Sequence, residues 1–140
     1  MTGFTSPLRL EKVGARRWKL LCDLVYIAKD GETFIAKAGC ETDLASIPRG
    51  LWNILPPIGD YDFAAVLHDA RYTAQDVTRA RADALLLEAM EATHVGWFTR
   101  HTIYAAVRIG GSGIWKKHAE AKAERERRIN AFAADDGDAS

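Results

Sequence analysis

The segment from Thr42 to Gly59 limits what this chain can fold into more than any other. It carries Pro48, Pro56, Pro57, Gly50 and Gly59. Proline fixes φ and removes a backbone donor, so neither a helix nor a central strand can run through such a stretch. The chain is thereby divided in two. A run of this length without regular structure is uncommon in a compact domain and is usually functional or disordered. Ile47, Leu51, Trp52, Ile54, Leu55 and Ile58 supply apolar surface that can be pinned by burial, and the sequence predicts a long ordered loop.

The two sides of this loop have different periodicity. Before it, Trp18, Leu20, Cys22, Leu24 and Tyr26 alternate with Lys19, Leu21, Asp23, Val25 and Ile27, the period-two pattern of one long strand. Asp30-Gly31 supplies a tight turn, Thr33 to Ala38 returns as the partner, and Leu8 to Val13, closed by Gly14, makes a third strand. After the loop the period becomes helical. From about Tyr61 to Tyr72, Phe63, Val66, Leu67 and Ala70 form one stripe, which places Ala65, His68, Asp69 and Tyr72 on the opposite face, read as the aqueous one. A second helix, about Arg79 to Thr93, is capped by Asp76 or Thr78 and buries Ala82, Leu85, Leu86, Ala89 and Met90, with Asp83 flanking that stripe. A third starts after Thr99 and buries Ile103, Ala106 and Val107 before Gly110, Gly111 and Gly113 break it, a sequence read as a hinge.

The expected fold is α+β: a small N-terminal antiparallel sheet of about three strands, then the ordered loop, then a bundle of three to four helices. One domain covers residues 1–133, with a charged C-terminal helix from about residue 114 and an acidic flexible tail over 134–140. A chain of 140 residues is long enough to bury its own core.

Composition removes several classes of function. Lys plus Arg and Asp plus Glu both number 19, so no whole-chain field draws the protein to a polyanion. Arg71, Arg79, Arg81, Arg125, Arg127 and Arg128 make local basic patches without a stacking platform, and nucleic acid is not an expected partner. Cys22 and Cys40 are too few for a disulfide framework; they are expected as buried thiols in a reducing compartment. No signal-peptide pattern is visible, and no apolar run nears the roughly 20 residues of a membrane span.

Three constellations carry candidate chemistry. In Thr42-Asp43-Leu44-Ala45-Ser46-Ile47-Pro48-Arg49, either the polar side chains bond the loop's own backbone, or Asp43 is aimed at a site with Ser46 and Arg49 binding substrate, the guanidinium gripping a carboxylate or phosphate. In His68-Asp69 with Tyr72, the adjacent side chains diverge by about 100° on a helix, so one ion takes both only if other ligands complete its sphere. The alternative is an ordinary hydrogen bond. Asp83 either pairs with Arg79 four residues earlier or joins Asp43, His68 and Asp69 in a set suited to a divalent ion such as zinc, manganese or magnesium. His94, His101 and His118 fit no metal-binding spacing and are read as surface or capping residues.

Taken in order, Gly39, Thr42 to Arg49, Trp52, Pro57, Gly59, Ala64 to Asp69, Tyr72, Arg79, Ala82-Asp83, Ala89-Met90, Tyr104, Val107-Arg108, Gly110 and Trp115 form a pattern. It resembles the family known as domain of unknown function thirteen fifty-three, small proteins of tailed phages and prophages. The resemblance spans about Ala38 to Trp115 and implies that Asp43, Ser46, Pro48, His68, Asp69, Tyr72 and Asp83 fall on motif positions. It implies a phage setting, hence a default location in the host cytoplasm or on the virion, and brings no reaction with it. The chain departs from the pattern at Gly39-Cys40, where a glycine and an aromatic are expected, and at Arg71, where a bulky apolar residue is expected.

Two functions fit. One is a metal-assisted hydrolase with Asp43, His68 and Asp69 as catalytic residues and Ser46, Arg49 and Tyr72 binding substrate. The other is a non-enzymatic assembly or accessory protein in which the same residues form a structural network and the C-terminal helix docks on other phage proteins.

Overall fold

The structure is a computed structural model and describes residues 2–15, 17–42 and 61–138. The expected ordered loop, with Asp43, Ser46 and Arg49, lies outside the described residues. Among the described residues six strands precede four helices: β1 (Gly3–Phe4), β2 (Leu10–Gly14), β3 (Arg17–Leu20), β4 (Leu24–Ile27), β5 (Thr33–Ala36), β6 (Glu41–Thr42), then α1 (Tyr61–Ala74), α2 (Arg79–Ala92), α3 (Trp97–Gly110) and α4 (Ser112–Asp138). This is the α+β order that the change of period predicts.

The strands form two antiparallel three-stranded sheets, β1-β4-β5 and β2-β3-β6. The single long strand expected over Trp18–Ile27 is therefore two. Side-chain alternation continues across the break, with Leu20, Leu24 and Tyr26 all buried, but the backbone changes partners. Leu21 N–H bonds the Arg9 carbonyl at 2.9 Å, while Val25 N–H bonds the Ser6 hydroxyl at 2.8 Å. Between them the Asp23 carboxylate accepts the Ala38 N–H at 2.8 Å. A short acidic side chain that competes for backbone donors interrupts a ladder. Period two reports which face a side chain takes and is silent on which strand pairs with it. The Asp30-Gly31 hairpin forms as expected: Ile27 pairs with Thr33, Gly31 has φ 88°, and Asp30 Oδ1 accepts the Glu32 N–H at 2.9 Å.

The main core joins Tyr26 and Phe34 of the sheet to Ala64 and Leu67 of α1, Leu85, Leu86, Ala89 and Met90 of α2, and Ile103 and Val107 of α3. A second cluster joins Leu20, Leu24 and Ala36 to Val66. Helix α1 contributes to both and is covered on nearly all sides, with Ala64 through His68, Arg71 and Tyr72 buried. The expected aqueous face of Ala65, His68 and Tyr72 is thus interior. A two-stripe helix between a sheet and further helices has little surface left for solvent, so the polar groups on its covered faces must find partners inside the protein.

The ends of the helices fix this arrangement. Thr78 caps α2 through a 3.2 Å bond from the Arg81 N–H to its hydroxyl. Of the glycines at the junction of α3 and α4, Gly111 is close-packed, since a Cβ there would lie 2.6 Å from the Val107 carbonyl and 2.8 Å from the Tyr72 hydroxyl, whereas Gly110 and Gly113 have open space beside them. Helix α4 begins there and anchors through Trp115, whose ring meets Tyr72 edge-on at 4.9 Å and whose carbonyl accepts the Gln75 Nε2 at 2.9 Å. Further along, its side chains are largely exposed, including Ile129 and Phe132. Both cysteines are free thiols; Cys22 is half-buried, whereas Cys40, expected buried, is exposed in the turn where its N–H bonds the Lys37 carbonyl.

Candidate functional site

The chemistry gathers on Asp83, which is 0% exposed in the second turn of α2. A buried carboxylate without partners costs several kcal/mol, so its donors are a condition of folding. Three reach it. His68 Nε2 lies 2.8 Å from Oδ1, the Tyr72 hydroxyl donates to the same oxygen at 2.6 Å, and Arg108 Nη1 donates to Oδ2 at 2.7 Å. Arg79 Nε stands 3.8 Å from Oδ2 and adds charge without a hydrogen bond. Its other end closes α3, with Nη2 donating to the Val107 and Arg108 carbonyls at 3.1 and 2.6 Å. Those carbonyls belong to the negative end of the helix, where a guanidinium is favoured.

Helix geometry explains the convergence. His68 and Tyr72 are four residues apart and so lie on one face of α1, and their rings pack with centroids 4.3 Å apart. That face meets α2 at Asp83, and Arg108 arrives from the last turn of α3. Burial pushes the Asp83 carboxyl up, but the bonds from His68, Tyr72 and Arg108 outweigh it and hold the group below the ordinary carboxylate range. Burial, reinforced by the bond to Asp83, drives the Tyr72 hydroxyl well above its ordinary value and keeps it protonated as a donor. The Asp83 bond also raises Arg108. Against an ionised carboxylate, His68 must carry its proton on Nε2, and in the neutral ring Nδ1 is then the basic nitrogen.

Asp69 follows His68 in sequence and goes elsewhere. It is half-buried, and its Oδ2 accepts a hydrogen bond from the hydroxyl of Thr42 in β6. The two neighbours therefore serve different sides of α1, as the 100° step requires. Among the described residues no group of three or more His, Cys, Asp or Glu side chains is arranged to hold a metal ion. The structure brings together His68, Tyr72 and Asp83 of the expected set and turns Asp69 toward Thr42 of β6.

A small pocket of about 10 Å³, room for roughly one water molecule, lies against the imidazole. It is lined by Tyr61, Ala65 and His68 of α1, Leu86 and Met90 of α2, and Ile103 and Val107 of α3. Among the described residues, the lining apart from the imidazole and the Tyr61 hydroxyl is apolar, including the Met90 thioether.

Sequence reasoning missed Arg108 and Trp115 as parts of this site, although both stand in the family pattern. The signal was a basic residue directly after the apolar Val107 near the end of a buried helix. Arg71 also has a specific place: it is buried, donates to Asp76 and to the Ile35 carbonyl, each at 2.5 Å, and lies over the Phe34 ring. Its aliphatic stem covers apolar surface where a bulky apolar residue is expected.

The fold and site define a small α+β protein with a buried His-Tyr-Asp-Arg network where three helices meet. The chain belongs to the family described as "Protein of unknown function (DUF1353)", whose model matches residues 18–107. The match starts earlier than the resemblance read from Ala38 and includes His68, Tyr72 and Asp83. No curated protein and no solved structure matches the chain. Among the described residues, no helix is long and apolar enough to cross a membrane.

Proposed function

We propose that the protein is a hydrolase in which His68 is the general base and Asp83 its orienting partner. The observation that carries this is the 2.8 Å contact from His68 Nε2 to a carboxylate already fixed by Tyr72 and Arg108. With Nε2–H committed to Asp83, the Nδ1 lone pair takes the proton of an attacking water, and Asp83 stabilises the imidazolium that forms. Asp83 does not take that proton itself, because its donors favour the ionised form.

Both oxygens of Asp83 are occupied by donors, so we assign it orientation in place of the metal-ligand role that the acidic set suggests. Asp69 is the better ligand: it is an oxygen donor at a half-buried position, bonded to Thr42, the residue that precedes Asp43 in sequence. Oxygen ligands suit magnesium or manganese better than zinc. A divalent ion held by Asp69, with Asp43 as the second candidate ligand, would supply Lewis-acid chemistry on the Thr42 side of α1.

The test is turnover of a panel of carboxylic and phosphoric esters with magnesium, manganese or zinc added in turn. His68→Gln is expected to lower kcat by on the order of 10²–10⁴-fold, as for loss of a general base. Asp69→Asn is expected to raise the cation concentration needed for half-maximal rate. Equal turnover by His68→Gln, or no turnover with any cation, contradicts the proposal.

A second reading is favoured by a separate observation, the saturation of Asp83 together with the close approach at Gly111. Here the network is structural, and the protein is a phage accessory factor that uses the exposed flank of α4 to dock on other phage proteins. It predicts that His68→Ala destabilises by about 1–3 kcal/mol, the cost of an orphaned buried partner, with no activity to lose.

A further inference from the structure

We infer that the outer half of α4 pairs with the same segment of a second copy of this chain, as an antiparallel two-helix dimer. The inference stands apart from the reading of His68. Helix α4 is held to the body of the protein through Trp115 and through Lys122, whose Nζ donates to the Gln75 carbonyl at 3.4 Å. From Arg125 to Gly137 every residue is exposed, and Ile129 and Phe132 are 66% and 70% exposed. Most helices draw their stability from packing an amphipathic face, and a segment of this length is marginal by itself in water. It gains from a partner that covers its apolar residues.

The pattern along the segment specifies that partner. Arg125, Ile129, Phe132 and Asp136 follow the a/d spacing of a coiled coil and lie within about 60° of one another around the helix. The stripe has a cation at one end, an anion at the other and two apolar residues between them. About a two-fold axis midway between Asn130 and Ala131, Arg125 meets Asp136 of the second copy and Ile129 meets its Phe132, and each contact is made twice. Arg128 and Asp135, beside the stripe, are also opposite in charge across that axis. The axis falls at the midpoint of residues 123–138, so the two segments overlap end to end over about 24 Å and leave the bodies at opposite ends. A parallel pair would set Arg125 against Arg125 and Asp136 against Asp136, and a membrane of anionic lipid would be repelled by Asp135 and Asp136. A helix pair of about four turns is small beside the roughly 1,200–2,000 Å² of stable interfaces, so the dimer is expected to dissociate on dilution.

Sedimentation equilibrium of the full chain is the experiment. The wild-type mass is expected to rise with concentration from 15.5 kDa toward twice that value. Arg125→Asp and Asp136→Arg each place like charges at both ends of the seam, and each is expected to weaken self-association at least about tenfold. Mixed one to one, the two variants regain both opposite pairs, and the mixture is expected to dimerise as tightly as the wild type. Phe132→Ser removes the apolar contact and is expected to weaken the dimer as well. All three positions are exposed in the single chain, so the variant monomers are expected to melt like the wild-type monomer. A wild type that stays at 15.5 kDa up to about 1 mM overturns the inference, whether or not the monomer binds phosphatidylglycerol vesicles instead. A dimer that neither charge variant weakens, or a mixture no tighter than its components, overturns it too.

Discussion

Two carboxylates stand within reach of α1, and they are placed in opposite ways. Asp83 is fully enclosed and receives His68, Tyr72 and Arg108; Asp69 is half-buried and meets Thr42 at the edge of β6. The same functional group thus has two environments a few residues apart in space. Environment sets the role of a carboxylate: a fully enclosed one held by several donors fixes its neighbours in place, while one at a half-buried rim lies nearer the solvent. The sequence offered both as equivalent members of one acidic set, and the packing separates them.

The largest effect expected from this contrast is on stability. Asp83→Ala leaves a buried imidazole, a phenol and a guanidinium without their shared acceptor and should cost about 3–5 kcal/mol in chemical denaturation, the scale for breaking a buried charged network. Next is Gly111→Ala, where the new methyl overlaps the Val107 carbonyl and the Tyr72 hydroxyl; a loss of about 1–3 kcal/mol is expected, the usual penalty of overpacking. Asp69→Ala, which removes the Thr42 bond at a half-buried site, should cost less than Asp83→Ala, about 1–2 kcal/mol. A denaturation series in which Asp69→Ala is as damaging as Asp83→Ala would erase the distinction between them.

The pH dependence sharpens the same point. Asp83 is held below the ordinary carboxylate range, so the fold binds its proton less readily than the unfolded chain does. Its stabilisation is complete above the ordinary carboxylate value and is lost as pH falls through the lowered folded value. Tyr72 has the opposite sign: its raised value makes a contribution that is complete below about pH 10 and fades as pH rises beyond it. Melting curves against pH should show a steep acid limb that flattens in Asp83→Asn. An unchanged acid limb in that variant would mean that other carboxylates govern acid unfolding.

Much of this architecture could be read from periodicity. The α1 stripe of Val66 and Leu67, the α2 stripe of Ala82, Leu85, Leu86, Ala89 and Met90, and the Asp30-Gly31 hairpin all stand where side-chain spacing puts them. What spacing could not show was partnership. The strand break at Leu21–Asp23 depends on which carbonyl each N–H finds, and the burial of His68 and Tyr72 depends on α2, α3 and α4 closing over a face that is polar in isolation. Asp83 flanked an apolar stripe in the sequence, and a flanking aspartate can turn inward only if a distant cation meets it; Arg108, 25 residues on, is that cation. Asp43, Ser46 and Arg49 stay as proposals, since their part of the chain lies outside the described residues.

The most direct measurement of the central claim is the tautomer of His68, read from nitrogen-15 chemical shifts and ring-proton correlations in labelled protein at a pH where the ring is neutral. Orientation by Asp83 predicts the proton on Nε2 and a lone pair on Nδ1 in wild type, with that preference weakened in Asp83→Asn. A wild-type ring with its proton on Nδ1 would contradict it, because the basic nitrogen would then be Nε2, turned toward Asp83, and the ring would donate no bond to the carboxylate that is said to hold it.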